Sequence, residues 1–314
     1  MVDRGGLENR CAFAGTVGSN PTPSAREVQR MSLHQAKTPR AARYFAAFVL
    51  FAAFFASPAF AETIHIVGST TVLPVVAMAA KAFRKNHPDI TLTVSGGGSG
   101  VGIGSILQRS AQIGMASRAL TKTEVQKLAG NADVIPIARD AVAVAVSKAV
   151  YVGGVHRLSL ARIANIYRGK TRNWKALGGP DAPILVIDKE MSRGTRHVFA
   201  KAVLGNETAR ASGATIVAGS NNEERTLIAQ SDKAIGMLSN AWLSDAVRAI
   251  AIGEAGHAVL PTLEHVRNGS YPIRRTLNLL VPKNASPKTR AFVAFLLSVE
   301  GQRLVVQSGY LPIR

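Results

Sequence analysis

An α/β fold built on mostly parallel sheets is predicted by three features of the sequence. Short apolar strand patterns alternate with helical stretches from about residue 62 onward. Several strand-to-helix turns are rich in glycine and hydroxyl side chains, where open α/β sheets bind their ligands. Two long alternating segments, residues 134–149 and 275–281, read as strands able to cross from one domain to another. The chain has 314 residues, 47% of them hydrophobic and 18% charged, a globular composition with length enough for two domains.

The N-terminal region reads differently. Lys37, Arg40 and Arg43 precede the apolar run of residues 44–56, which ends in the small-x-small pattern Ala59-Phe-Ala61. That is the pattern of a cleaved secretory signal over residues 31–61, with Glu62 as the first mature residue. The run falls short of the ~20 residues of a spanning helix. No cysteine stands at the cleavage position, so no lipid anchor is expected and the product is placed in the periplasm or outside the cell. Residues 1–30 lack periodicity, and Met31 would open a signal of ordinary length, so residues 1–30 read as a non-native extension. The single cysteine, Cys11, lies in that extension, so the mature chain needs neither disulfides nor thiolate metal sites. The first 61 residues carry seven Lys/Arg and three Asp/Glu, which leaves +15 of the formal +19 charge on the rest. Such a charge attracts anionic ligands or anionic membrane surfaces. Nucleic acid is not the expected partner, because the basic residues are dispersed, few aromatics lie among them, and the chain is exported.

The elements follow in order. Residues 64–67 form a strand, Gly68-Ser-Thr-Thr71 a polar turn, and residues 72–86 a helix with Pro74 in its first turn. Thr70 or Thr71 is placed to cap that helix, which leaves the other hydroxyl to spare for a ligand. Residues 90–94 alternate as a strand and lead into Ser95-Gly-Gly-Gly-Ser-Gly-Val-Gly-Ile-Gly104 and a helix to Arg109. Residues 113–116 are a strand ending at Ser117 and Arg118. Thr121 and Glu124 form a capping box for a helix to Leu128. After the long strand 134–149 come helical residues 158–167 and 174–177, and a buried strand at 184–187. Asp188-Lys-Glu-Met-Ser-Arg-Gly-Thr195 then feeds an amphipathic helix to Leu204. Strands at 215–218 and 234–238 flank a helix at 223–231. A strand at 247–252, the alternating strand 275–281 and one helix over 287–308 complete the chain.

The glycine-rich loop is the centre of the arrangement. Glycines let backbone approach a ligand, and the first turn of the following helix offers unpaired N–H groups to an anion. The alternative is a tight turn without a ligand. A dinucleotide fingerprint fails because Gly98 and Gly100 would need glycine at Ile103. A Walker A loop fails because Gly102 is followed by Ile103 rather than lysine. The loop therefore suits an anion smaller than a nucleotide.

An ordered set of motifs adds specificity. Gly68-Ser-Thr-Thr-Val-Leu-Pro74, Ser95-Gly-Gly-Gly-Ser-Gly100, Ile113-Gly-Met-Ala-Ser-Arg118, Tyr167-Arg-Gly-Lys-Thr-Arg-Asn-Trp174, Gly194-Thr-Arg196, Ala234-Ile-Gly236, Tyr271-Pro-Ile273 and Ser298-Val-Glu-Gly-Gln302 occur in this order. The set resembles the substrate-binding proteins of high-affinity phosphate ABC transporters, over essentially all of residues 62–314. The resemblance implies a two-lobed, type II periplasmic-binding-protein fold, the Venus flytrap, with two crossover hinge strands. Residues 62–142 plus 276–314 would form lobe I and residues 143–275 lobe II. It implies a monomer that captures inorganic phosphate between the lobes and delivers it to an inner-membrane ABC permease. The matching positions are Thr70, Thr71, Ser99 and Ser117 on one lobe, and Lys189, Arg193, Gly194 and Thr195 on the other. A binder of another tetrahedral oxyanion, and a phosphate sensor or surface protein without a transport role, are the alternatives.

Three positions depart from the family pattern. Ser117 stands where an acid often accepts the phosphate proton, so discrimination against sulfate is expected to be weaker. Lys189 replaces an arginine and loses its bidentate fork. Arg193 replaces a serine, and either restores a guanidinium to the cleft or points to solvent. Arg118 is either a cleft ligand or a surface charge. No cofactor or metal is expected: His65, His87, His156, His197, His257 and His265 are scattered without ligand spacing. Val101 breaks an esterase elbow at Ser99, and nothing nominates a catalytic residue.

Overall fold

The computed structural model describes residues 62–313, so the extension and export signal expected over residues 1–61 lie outside it. From Glu62 the chain runs through β1 (Glu62–Gly68), α1 (Leu73–Phe83), β2 (Ile90–Gly96), α2 (Ser99–Leu107), β3 (Ile113–Ala116) and α3 (Lys122–Leu128). The long strand β4 (Ala132–Ser147) leads to α4 (Lys148–Val152), β5 (Arg157–Leu158), α5 (Leu160–Tyr167) and a 3-10 turn at Trp174–Leu177. Next come β6 (Leu185–Lys189), α6 (Gly194–Leu204), β7 (Ile216–Ala218), α7 (Asn221–Ala229) and β8 (Ala234–Ser239). A second 3-10 turn, Asn240–Trp242, precedes β9 (Val247–Ala249), β10 (Ala251–Ile252) and α8 (Leu263–Arg267). The chain closes with β11 (Arg274–Pro282), α9 (Pro287–Leu297), α10 (Val299–Gln307) and β12 (Leu311–Pro312).

One curled sheet runs through the molecule in the order β2-β1-β3-β11-β4-β8-β6-β7. At its two ends β1 is parallel to β2 and β3, and β6 is parallel to β7 and β8. In the middle β11 and β4 pair antiparallel along their shared length. The sheet is therefore mixed: the parallel halves that alternating strands and helices predict are joined by an antiparallel pair. β4 is long because it serves both halves. Its first part pairs with β11 and its last part, from Val142, with β8.

Each half has its own core. Ile64, Ile66, Val76, Phe83, Phe292 and Leu296 lie in one, where Phe83 meets Phe292 edge to face at 5.5 Å between ring centroids. Val144, Ile163, Tyr167, Trp174, Phe199 and Met237 lie in the other. Trp174 is a packing residue, fully buried with its indole N–H donated to the Lys233 carbonyl at 2.9 Å. The chain is thus two-lobed, with β4 and β11 as the crossover strands.

Two expectations are corrected. The helix expected over 287–308 is two helices, broken at Ser298, whose hydroxyl accepts from the Gly301 N–H and caps α10. The strand expected over 247–252 is split at Ile250, because β9 pairs with β4 while β10 turns to β5. The capping box of Thr121 and Glu124 is present on α3. No helix among the described residues is long and apolar enough to cross a membrane.

Candidate functional site

Four turns converge where the two lobes meet. The first, after β1, carries Thr71. Neither Thr70 nor Thr71 caps α1; Thr71 instead receives its own backbone support from Ser69, whose hydroxyl accepts the Thr71 N–H at 3.2 Å. The Thr71 hydroxyl is thereby released from capping and is 1% exposed. Thr70 stands apart, with its γ-methyl against Gly96.

The glycine loop supplies Ser99 at the first position of α2. Gly98 precedes it at φ +93°, a backbone conformation that suits glycine. Ser99 Oγ accepts the Ser117 N–H at 2.9 Å and lies 3.3 Å from Ser117 Oγ. From the other lobe, α6 opens at Gly194 and Thr195. A Cβ on Gly194 would fall 2.2 Å from Ser99 Oγ and 2.6 Å from Ser117 Oγ, so only glycine lets the lobes meet here. Thr195 Oγ1 lies 3.4 Å from Thr71 Oγ1. The lobes also touch through backbone: the Gly100 N–H donates to the Ser192 carbonyl at 3.0 Å.

Two residues complete the cluster that the sequence reading did not assign to it. Arg275, near the start of β11, donates from Nη1 to Thr195 Oγ1 at 2.8 Å and from Nη2 to Thr71 Oγ1 at 3.3 Å. It also reaches Ser117 Oγ at 3.5 Å. Asp140 Oδ2 accepts from the Arg275 Nε at 2.8 Å and pairs with Nη2 at 2.6 Å, while Asp140 Oδ1 accepts from Ser239 Oγ at 3.0 Å. Arg275 and Asp140 are directly opposed in the β4–β11 register. Asn221, at the start of α7, donates from Nδ2 to Thr71 Oγ1 at 2.8 Å, while its buried Oδ1 has no hydrogen-bond partner among the described residues. A signal for Arg275 was available: it falls on the same strand parity as Leu277 and Leu279, both fully buried. A charge at an inward-facing strand position needs a partner.

The other cations near the cleft are engaged elsewhere. Lys189 is buried against Glu224 and donates to the Ser220 carbonyl at 3.2 Å. Burial pushes the Lys189 ammonium down and the Glu224 carboxyl up to about 7, against their mutual attraction. Arg193 points back along its own loop to Glu190, with Nε and Nη2 on one carboxylate oxygen. Its side chain crosses over Gly98. Arg118 makes a bidentate pair with Glu124 at 2.7 and 2.8 Å. Burial opposes ionisation of Glu124, but Arg118 and the Thr121 N–H hold its carboxyl down at about 2. Of the nine residues singled out from sequence, the structure gathers Thr71, Ser99, Ser117, Gly194 and Thr195. Thr70, Arg118, Lys189 and Arg193 surround that group without hydrogen bonds to it.

Burial also pushes the Asp140 carboxyl upward, with Arg275 and Ser239 pulling against it. Chemically, the site is a set of four buried hydroxyls, the start of two helices and one guanidinium neutralised from behind. It gathers several donors into one buried cluster, which suits an oxyanion. Among the described residues no group of three His, Cys, Asp or Glu is placed to hold a metal.

A model of the PBP superfamily domain matches residues 54–300. The chain is 32% identical over 265 residues to the phosphate-binding protein PstS of Bacillus subtilis, covering 80% of this chain and 81% of that one. It is 27% identical over 259 residues to PstS of Borreliella burgdorferi, covering 81% and 91%. Among solved structures it is similar to a candidate phosphate ABC transporter substrate-binding protein of Clostridium perfringens, crystallised with bound phosphate. There the TM-score is 0.73 at 32% identity, with 81% of this chain and all of that one covered. An ABC-type phosphate transport receptor from Vibrio cholerae gives 0.63 at 30% identity, with 79% and 99% covered.

Proposed function

The chain belongs to the PBP superfamily, and from that premise we propose that it captures inorganic phosphate between its lobes for an ABC transporter. The observation that carries this reading is the convergence of Thr71, Ser99, Ser117, Thr195 and Arg275 from both lobes into one buried cluster. An anion accepting from these groups replaces hydroxyl-to-hydroxyl contacts with charge-assisted hydrogen bonds, which are about twice as strong as neutral ones. Because donors come from both sides, the same anion holds the lobes closed.

The proposal extends to the setting. The product is exported on the signal at residues 31–61, acts outside the cytoplasm as a monomer without a lipid anchor, and passes phosphate to an inner-membrane permease. Lobe I comprises residues 62–142 and 276–314, and lobe II residues 143–275. The chain binds rather than transforms its ligand, as the names of its relatives indicate for them.

Selectivity follows from Ser117. With a hydroxyl at that position, and with Asp140 spent on Arg275, no free carboxylate repels a fully ionised anion. Phosphate binding is therefore accompanied by measurable competition from sulfate. Calorimetric titration of the full chain with phosphate, sulfate and arsenate at several pH values is the test. A single phosphate site with sulfate competing at moderate excess is expected. No phosphate binding would refute the function, and indifference to a large excess of sulfate would refute the selectivity.

A further inference from the structure

The two crossover strands carry a second set of arginines on the face turned away from the cleft. Side chains alternate along a strand, so residues flanking the Asp140–Arg275 pair point the other way. These are Arg139, opposed to Thr276 in the register, and Arg274, opposed to Ala141. Both arginines are exposed, whereas Asp140 and Arg275 between them are buried. Arg267, the last residue of α8, joins them. The three line a concavity of about 470 Å³ together with Asn268, Gly269 and Thr276, and Arg275 borders it from the strand. No acidic residue lines it.

The guanidinium groups have no carboxylate partners of their own. Among the described residues none of Arg139, Arg267 and Arg274 takes part in an ion pair, although Arg118, Arg193, Arg196, Arg248 and Arg275 all do. Arg274 is held in place by donating from Nη1 to the carbonyls of Gly269 at 2.6 Å and Tyr271 at 3.2 Å, which leaves its Nε and Nη2 without a hydrogen-bond partner among the described residues. Three like charges around one hollow repel one another unless an anion sits among them. Arginine's planar fork suits phosphate oxygens, and one phosphate group can accept from more than one guanidinium.

We propose that this hollow is a second anion site, for an oligoanion built of phosphate groups, distinct from the interlobe cleft. Its size admits more than a single phosphate. The same chemistry is presented by a free oligophosphate and by an anionic phospholipid headgroup. Because Arg139 lies on β4 and Arg274 on β11, an anion held here also bridges the two hinge strands.

The test keeps the two sites apart by saturating the cleft with phosphate. Full-chain protein is titrated with inorganic tripolyphosphate by calorimetry. In parallel it is sedimented with vesicles of phosphatidylglycerol in phosphatidylcholine, and of phosphatidylcholine alone. Arg139→Gln/Arg267→Gln is the site variant. Lys81→Gln/Arg84→Gln removes equal charge from the exposed C-terminal end of α1 and the residue that follows it, as a control. The site variant is expected to bind the oligoanion at least about tenfold more weakly, with the control near wild type and phosphate affinity in the cleft unchanged. Binding of tripolyphosphate identifies a free oligophosphate as the source; binding of phosphatidylglycerol vesicles alone identifies the headgroup. Arg139→Lys/Arg267→Lys, which keeps charge without the fork, should fall between. The proposal is overturned if neither probe binds, or if the site variant and the control lose binding equally. Cleft titration with phosphate, measured separately, reports on the uptake reading independently of either result.

Discussion

Replacing Arg275 by glutamine isolates the one charge that faces the hydroxyl cluster. An anion taking the Thr71 and Thr195 hydroxyls would sit about 4 Å from the guanidinium, which at an effective dielectric of about 20 is worth about 4 kcal/mol. Asp140, paired with the Nε and Nη2 of Arg275, cancels about half of that at its greater distance from the anion. Lost hydrogen bonds to a charged ligand add about 1.5–3 kcal/mol. The expected loss is about 3.5–5 kcal/mol, roughly three-hundredfold to several-thousandfold in phosphate affinity by calorimetry. Stability is affected separately. The variant strands a buried Asp140, at a cost of about 3–5 kcal/mol if it stays ionised. Burial already pushes the Asp140 carboxyl upward, so in Arg275→Gln it takes up a proton in the folded state. The unfolded chain ionises at the ordinary carboxylate pKa, so the variant's stability falls as pH rises above that value. Asp140→Asn/Arg275→Gln should recover stability across that range without recovering affinity. If Arg275→Gln binds phosphate as wild type does, the guanidinium serves the hinge alone and the charge argument is wrong.

Four further outcomes are expected. Ser99→Ala removes a hydroxyl that touches Ser117 on one lobe and Gly194 on the other, and should weaken phosphate binding by about 1.5–3 kcal/mol without unfolding the protein; an unchanged dissociation constant would make the glycine loop a turn only. Arg193→Ser should change phosphate affinity by less than about threefold, since the guanidinium is paired with Glu190, and a large loss would show that it swings into the cleft when phosphate binds. Ser117→Asp should lower competition by sulfate relative to phosphate, because a carboxylate repels the fully ionised anion and accepts a proton from phosphate; competition titration reads it directly. The buried Glu224 takes up a proton near 7 when folded and near 4.5 when unfolded, so its contribution to stability is lost as pH rises from about 4.5 through 7, at no more than about 1.4 kcal/mol per pH unit. Lys189→Met/Glu224→Gln should flatten the thermal midpoint over that interval, and an unaltered profile would place the titration elsewhere.

The parts legible in the sequence were those whose cause is local. Strand, glycine turn and helix start are written in consecutive residues, and they point to Thr71, Ser99, Ser117 and Thr195. What escaped was long-range. Arg275 reaches Thr71 across 204 positions, and Asn221 reaches it across 150. No spacing rule links such residues; only the tertiary fold brings them together. The alternatives that the sequence leaves open for Arg118 and Arg193 also turn on a local cause. Each has a glutamate within reach in its own segment, Glu124 and Glu190, and a nearby acid satisfies a guanidinium without bringing it into the cleft. The break at Ser298 was legible in principle, because a serine followed three positions later by a small residue can cap a helix as well as sit inside one.

The contact between the Gly100 N–H and the Ser192 carbonyl spends a helix-start donor on the facing lobe. Its effect is on timing. A backbone hydrogen bond across the mouth contributes to closure whatever the cleft contains, and at a net of about 0.5–1.5 kcal/mol it raises the closed-to-open ratio by roughly two- to twelvefold. The same bond must break before the jaws part, so it lengthens the dwell time of a captured anion by a similar factor. On the proposed phosphate-capture reading, release then requires that the two loops be drawn apart.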